Sequence, residues 1–259
     1  MADTRRRRKS RVRYDRIFIV AVIFVIIIFL FKSCLGKDDK KAKKASTDNS
    51  ALSSEESTVD NSGAVFLSPS NQADNAYAAG GSVTEASAMR SLSESIKKVL
   101  EDNGITVYIA GPEDTLEQKV NTANDLGVGA YVAVHSNAGG DSGGGEGTEC
   151  FYNPDTRGSK TLAEYVYNEV AELTPTEDRG LKGGTEEEHY LYEVDHPDMA
   201  NCLLEVEFHD TQKHAQWILD NEKDIANCIA DGIMKYLGKG SVQNTGASEE
   251  SSEESASDE

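Results

Sequence analysis

Apolar positions in this chain recur with two periods. Between residues 64 and 238, short apolar runs alternate with stretches where apolar residues return every three or four positions. The runs Ala64–Leu67 and Ala130–Val134 predict buried strands, Ile105–Ala110 and Thr148–Tyr152 predict further strands, and Ala200–Phe208 contains the last. The stretches between and after them predict helices over residues 82–103, 113–126, 159–173, 214–219 and 224–237. In the first of these, Met89, Leu92, Ile96, Val99 and Leu100 form the inward stripe, and Asn103-Gly104 is a stop signal. Strands that alternate with helices predict an α/β domain with a mostly parallel central sheet flanked by helices. Functional sites in such sheets gather at the carboxyl ends of the strands. That rule selects residues 68–72, 112–114 and 135–137, together with the end of the strand carrying Glu205.

The flanks read differently. Residues 1–16 hold eight basic and two acidic residues, and Ile17–Phe31 has no polar residue at all. With Arg16 and Lys32 snorkelling, residues 17–35 predict one N-terminal transmembrane helix. No small-residue cleavage signal follows it. The basic arm then marks the cytoplasmic side and puts the domain outside, as a single-pass protein of the cell membrane facing the wall. Residues 36–62 predict a disordered linker, and residues 239–259, rich in Ser and Glu, a disordered acidic tail. One domain, 63–238, is left to carry chemistry.

Charge and cysteines narrow the chemistry. The chain carries a net charge of −19, and the arm and tail leave most of the negative charge on the domain. Such a domain lacks the basic footprint of nucleic-acid binding. Cys150, Cys202 and Cys228 sit in separate elements without metal-type spacing and read as free thiols.

Three features could do chemistry. His135 ends a buried strand and opens a glycine-rich loop, so it is exposed to whatever carboxylates converge there. Glu85 starts a helix. Ser82-x-x-Glu85 has the form of a capping box, which would use the carboxylate locally; otherwise the helix aims it at the strand ends. In Leu203–Asp210, strand alternation puts Glu205, Glu207 and His209 on one face. Carboxylates are costly there unless paired or metal-bound. A carboxylate so placed suits a general base for a metal-bound water.

Taken together, these segments resemble the zinc-dependent N-acetylmuramoyl-L-alanine amidases. Leu126–Ala138 (LGVGAYVAVHSNA) is similar to that family's second-histidine motif, and Arg179-Gly180-Leu181-Lys182 to its Arg-Gly-hydrophobic-Lys segment. Cys202–Phe208 is similar to the strand carrying its catalytic glutamate, and Ile225–Tyr236 to its final helix. The resemblance implies Zn2+ as cofactor, with Glu85 and His135 as ligands and Glu205 as the catalytic base. It implies peptidoglycan as partner and the bond between N-acetylmuramic acid and L-alanine as target. One departure stands out. Where the family's first strand ends in Asp-Pro-Gly-His-Gly, this chain reads Ser68-Pro69-Ser70-Asn71-Gln72. Asn71 replaces a ligand histidine, and an amide oxygen is a weak zinc donor. His209 is then the expected third ligand, ahead of Glu207 or Asn71. Asn71, Asn137 and Arg179 are expected to contact substrate. The alternative is an inactive peptidoglycan-binding or regulatory domain on the same scaffold.

Overall fold

The computed structural model describes residues 60–139, 144–184 and 191–242. The basic arm, the apolar run expected to cross the membrane, nearly all of the linker and most of the acidic tail lie outside these residues. Among the described residues no helix is long and apolar enough to cross a membrane.

Six strands form one sheet: β1 (Val65–Pro69), β2 (Val107–Ile109), β3 (Ala130–Asn137), β4 (Glu149–Tyr152), β5 (Gly180–Gly183) and β6 (Ala200–Phe208). Their spatial order is β2-β1-β3-β6-β4-β5. Every pairing is parallel except β4 with β6, which is antiparallel. The sheet is therefore mixed, with a parallel majority. The described residues hold six helices: α1 (Glu85–Asp102), α2 (Leu116–Leu126), α3 (Ser159–Leu173), α4 (Tyr192–Asp195), α5 (Gln212–Asp220) and α6 (Glu222–Tyr236).

Alternation along the central strands splits the core into two apolar layers. Val132, Val134, Leu204 and Val206 pack with Met89, Leu92, Ile96, Val166, Ile225, Ile229 and Ile233 of α1, α3 and α6. Phe66, Tyr131, Ala133 and Leu203 pack on the other face with Val120 and Ala123 of α2 and Val194 of α4. The strands β3 and β6 are buried on both faces, which explains their near-continuous apolar sequences. The helices α3 and α6 approach so closely that a Cβ on Gly232 would lie 2.6 Å from Val166 Cα.

Two local features depart from expectation in ways that matter for the site. Ser82 does not cap α1; it sits in a turn at φ 61°. Thr84 is the cap, and it closes a capping box with Ser87. Glu85 is thereby the first helical residue, with its side chain free of capping duty. The strand β5 and the single turn α4 have no apolar periodicity of their own. They form because β4 offers β5 an edge to pair with, and because Val194 finds the second apolar layer.

A buried carboxylate–histidine centre at the strand ends

The site forms where β1, β3 and β6 end. His135 and Glu205 are paired neighbours on β3 and β6, and Glu205 is in turn paired with Glu149 of β4. The start of α1 brings Glu85 to the same place, with Oε1 3.2 Å from Nδ1 of His135. That oxygen makes no hydrogen bond, although it is fully buried. Its partner Oε2 accepts from Asn75 Nδ2 at 2.8 Å, so the carboxylate is held in place from behind. On the far side of the ring, Nε2 of His135 lies 3.4 Å from Oε2 of Glu193. Glu193 is 3% exposed, and its other oxygen accepts from Tyr131 Oη at 2.6 Å and from Ser68 Oγ.

These contacts set the charges. Burial alone would lower the His135 imidazole, but Glu193 and Glu85 outweigh it and hold the group at about 10. Burial pushes Glu193 upward, yet His135, Lys119 and Ser68 hold it down at about 2. Glu85 is likewise raised by burial and pulled below its ordinary value by His135, Asn75 and Ser70. Lys119, fully buried with Nζ on the Pro69 carbonyl at 2.8 Å, lies among the carboxylates as a compensating cation. Glu205 behaves differently. Burial, reinforced by Glu85 and Glu149 and opposed by His135, raises it to about 7. Its Oε2 is buried without a partner. A carboxyl that exchanges its proton near neutrality, next to two groups locked in their charged forms, is suited to proton transfer.

The remaining expected residues fall into separate groups. Asn71 is exposed, and its amide donates to the Asp114 carbonyl at 3.0 Å. The structure does not bring His209 to Glu85 and His135. Its Nδ1 lies 2.9 Å from the Ser136 carbonyl and 3.0 Å from Ser136 Oγ, and its ring stacks on Tyr77. Tyr77, which donates to Ser136 Oγ at 2.8 Å, belongs to the layer on the α1 face, away from that of Tyr131 and Ala133. Glu207 is fully buried and spoken for: Oε1 accepts from Gly147 N and Phe208 N, each at 2.8 Å, and Oε2 from Thr176 Oγ1. This carboxylate ties down the end of the glycine-rich loop. Gly147 sits there at φ +100°, with no room for a Cβ beside the Glu177 carbonyl. Among the described residues, no group of three His, Cys, Asp or Glu side chains converges to hold a metal. The thiols of Cys150, Cys202 and Cys228 are free.

Asn137 and Arg179 meet at a residue the sequence reading did not single out. Glu149 accepts from Asn137 Nδ2 and, at 3.0 Å, from Arg179 Nε, with Lys182 Nζ at 3.4 Å. The Arg179 guanidinium lies 5.3 Å from the centre of the Phe208 ring. With Lys182, Glu146, Glu177 and Asp178 it lines an open groove of about 360 Å³. Glu193 was missed as well. Its signal is faint: one acid between Tyr192 and Val194, in a segment with no periodic pattern.

Comparison with known proteins bears on family and fold. The profile of the N-acetylmuramoyl-L-alanine amidase family matches residues 65–235. A sporulation-specific N-acetylmuramoyl-L-alanine amidase of Bacillus subtilis is 27% identical over 190 residues, covering 70% of this chain and 71% of that protein. An uncharacterized Bacillus subtilis protein, YqiI, is 25% identical over 179 residues, covering 66% of this chain and 84% of its own. Among solved structures, the catalytic domain of CwlV, an N-acetylmuramoyl-L-alanine amidase from Bacillus (Paenibacillus) polymyxa var. colistinus, superposes with a TM-score of 0.58. It is 25% identical and covers 70% of this chain and 99% of that one. The amidase AmiC2 of Nostoc punctiforme shares the fold, with a TM-score of 0.59 at 21% identity over 68% of this chain and 98% of its own.

Proposed function

Because this chain belongs to the N-acetylmuramoyl-L-alanine amidase family, we propose that it hydrolyses the amide bond between N-acetylmuramic acid and L-alanine in peptidoglycan, with zinc as cofactor. One observation carries the reading. At the ends of the central strands, a buried carboxylate oxygen of Glu85 has no hydrogen-bond partner, yet sits 3.2 Å from His135 Nδ1, beside Glu205 on the neighbouring strand. Without metal the two groups form an ion pair at 3.2 Å; with the Nδ1 proton displaced, an oxygen and a nitrogen donor face each other at a spacing that fits a cation between them. A carboxylate and an imidazole are the oxygen and nitrogen donors zinc takes. Bound there, zinc would supply a Lewis acid for the scissile carbonyl and a water of lowered pKa.

The protein's own groups then do the following. Glu85 and His135 hold the cation, with Asn75 fixing the carboxylate from behind. Glu205, on the adjacent strand and with its carboxyl raised to about 7, accepts a proton from the attacking water and returns it to the departing L-alanine amine. Arg179 lines the groove where the stem peptide would lie, and Glu149 ties it to Asn137. Among the described residues no third side chain is supplied to the cation. Asn71 stands at the expected place but is turned to the Asp114 carbonyl, and His209 is engaged with Ser136. Weaker zinc binding than that of a three-ligand site follows.

A zinc titration tests the assignment. The parent protein should bind one zinc ion per chain. Glu85→Gln and His135→Ala should each weaken it by at least about 10-fold, the lower end of what even an outer-shell partner costs. Zinc binding that survives both substitutions unchanged would place the cation elsewhere.

The second reading, a wall-binding domain without activity, is favoured by a specific feature: Asn71 in place of a ligand histidine. Restoring that histidine separates the two.

A further inference from the structure

We propose that Glu193 is a positioning residue that fixes the ring of His135, so that Nδ1 faces Glu85 and the cation. The inference rests on the zinc reading above, but its geometry stands without it. Both ring nitrogens of His135 face carboxylates, Nδ1 that of Glu85 at 3.2 Å and Nε2 that of Glu193 at 3.4 Å. A flip of the ring about Cβ–Cγ would put carbon atoms against both carboxylates and lose both interactions. The ring therefore has one orientation.

Glu193 is built to impose it. Its Oε1 receives two hydroxyl donors, Tyr131 Oη at 2.6 Å and Ser68 Oγ, leaving Oε2 as the one oxygen free to face the imidazole. Those donors come from two different strands, β3 and β1, and converge on the same oxygen. The short helix α4 that carries Glu193 is seated by Val194 in the apolar layer with Phe66 and Tyr131. A buried carboxylate would be costly without compensation. Here two hydroxyls, one imidazole and the nearby ammonium of Lys119 supply it.

In metal sites, a ligand histidine commonly donates its second ring N–H to a carboxylate, which fixes the tautomer and makes the other nitrogen a better donor. Glu193 does this for His135. It also speaks to the missing histidine. A site short of one ligand depends more heavily on how well the remaining ones are held.

The test uses the full-length protein and two readouts. One is zinc affinity by competition with a chromophoric chelator. The other is the 15N-resolved proton on His135 Nε2, recorded without metal and with it. In the parent that proton should be downfield and slow to exchange. Glu193→Gln keeps size and removes charge. It should shift the proton upfield, speed its exchange and lower zinc affinity by about 10–100-fold, the range for outer-shell partners. Tyr131→Phe, which removes one of the two hydroxyl donors, should move both readouts less and in the same direction; it carries the test if Glu193→Gln fails to fold. If zinc affinity and the proton signal stay at parental values in folded Glu193→Gln, Glu193 is a packing residue and the proposal is wrong. If the parent binds no zinc, the metal reading fails by itself. The proton signal then decides for Glu193: movement supports the assignment and an unchanged line overturns it.

Discussion

Replacing Glu205 by Gln should cut the rate of muropeptide hydrolysis by at least about 100-fold, the usual scale for a general acid–base group, and leave fold and zinc affinity near parental values. The substitution is nearly isosteric, and the position tolerates it structurally. One oxygen of Glu205 is buried without any hydrogen-bond partner, so an amide there displaces no existing donor. What it removes is the proton-exchanging carboxyl that burial, Glu85 and Glu149 together raise to about 7. Glu85 and His135 keep their own partners in the variant, Asn75 and Glu193. A binding role for Glu205 would instead raise KM at constant kcat. Folded, zinc-loaded Glu205→Gln with near-normal kcat would remove it from the mechanism.

Asn71→His should raise zinc affinity by at least about 10-fold, taking the outer-shell range as a lower bound for a gained ligand. Hydrolysis at limiting zinc should rise with it. Hydrolytic zinc sites take three protein donors, and among the described residues two, Glu85 and His135, meet at the strand ends. Asn71 lies just beyond Pro69 on the loop from β1, and it is exposed, so a larger ring meets no packed core. The cost is one hydrogen bond to the Asp114 carbonyl. Isothermal titration of both proteins measures the gain. Equal zinc affinity would mean that position 71 does not look into the site. Higher affinity with no hydrolysis in either protein would favour the wall-binding reading.

The parts of this account legible in the sequence are those governed by local periodicity. Ala130–His135 reads as a buried strand ending in a histidine because every residue from Ala130 to Val134 is apolar, and β3 is indeed buried along almost its whole length. The bounds of α3 agree with the apolar pattern to the residue, and β6 falls in the range expected to contain the last strand. What escaped depends on tertiary pairing. The segment Gly180–Gly183 has too little side chain to declare itself and becomes a strand only against β4. Glu193 lies on a single turn, too short for any period to show.

His209 shows how alternation misleads. Counting by twos from Glu205 puts it on the site face, but β3 and β6 change register between His135 and Asn137. From His135 opposite Glu205, an even count would set Asn137 opposite Glu207; it pairs with Phe208 instead. The extra residue turns the end of β6, and His209 goes to Ser136 and Tyr77. Glu85 shows the converse. Its apparent capping box dissolves because Thr84, two residues on from Ser82, takes the cap.

The central claim is the bond that is cut. Purified muropeptides incubated with the zinc-loaded full-length protein and read by mass spectrometry report it directly. Two products are expected, a disaccharide with a free lactyl carboxyl and an intact stem peptide with a free L-alanine amine, their masses together exceeding the substrate by one water. Cleavage within the stem peptide or between the sugars, or intact substrate with both the parent and Asn71→His at saturating zinc, would contradict it.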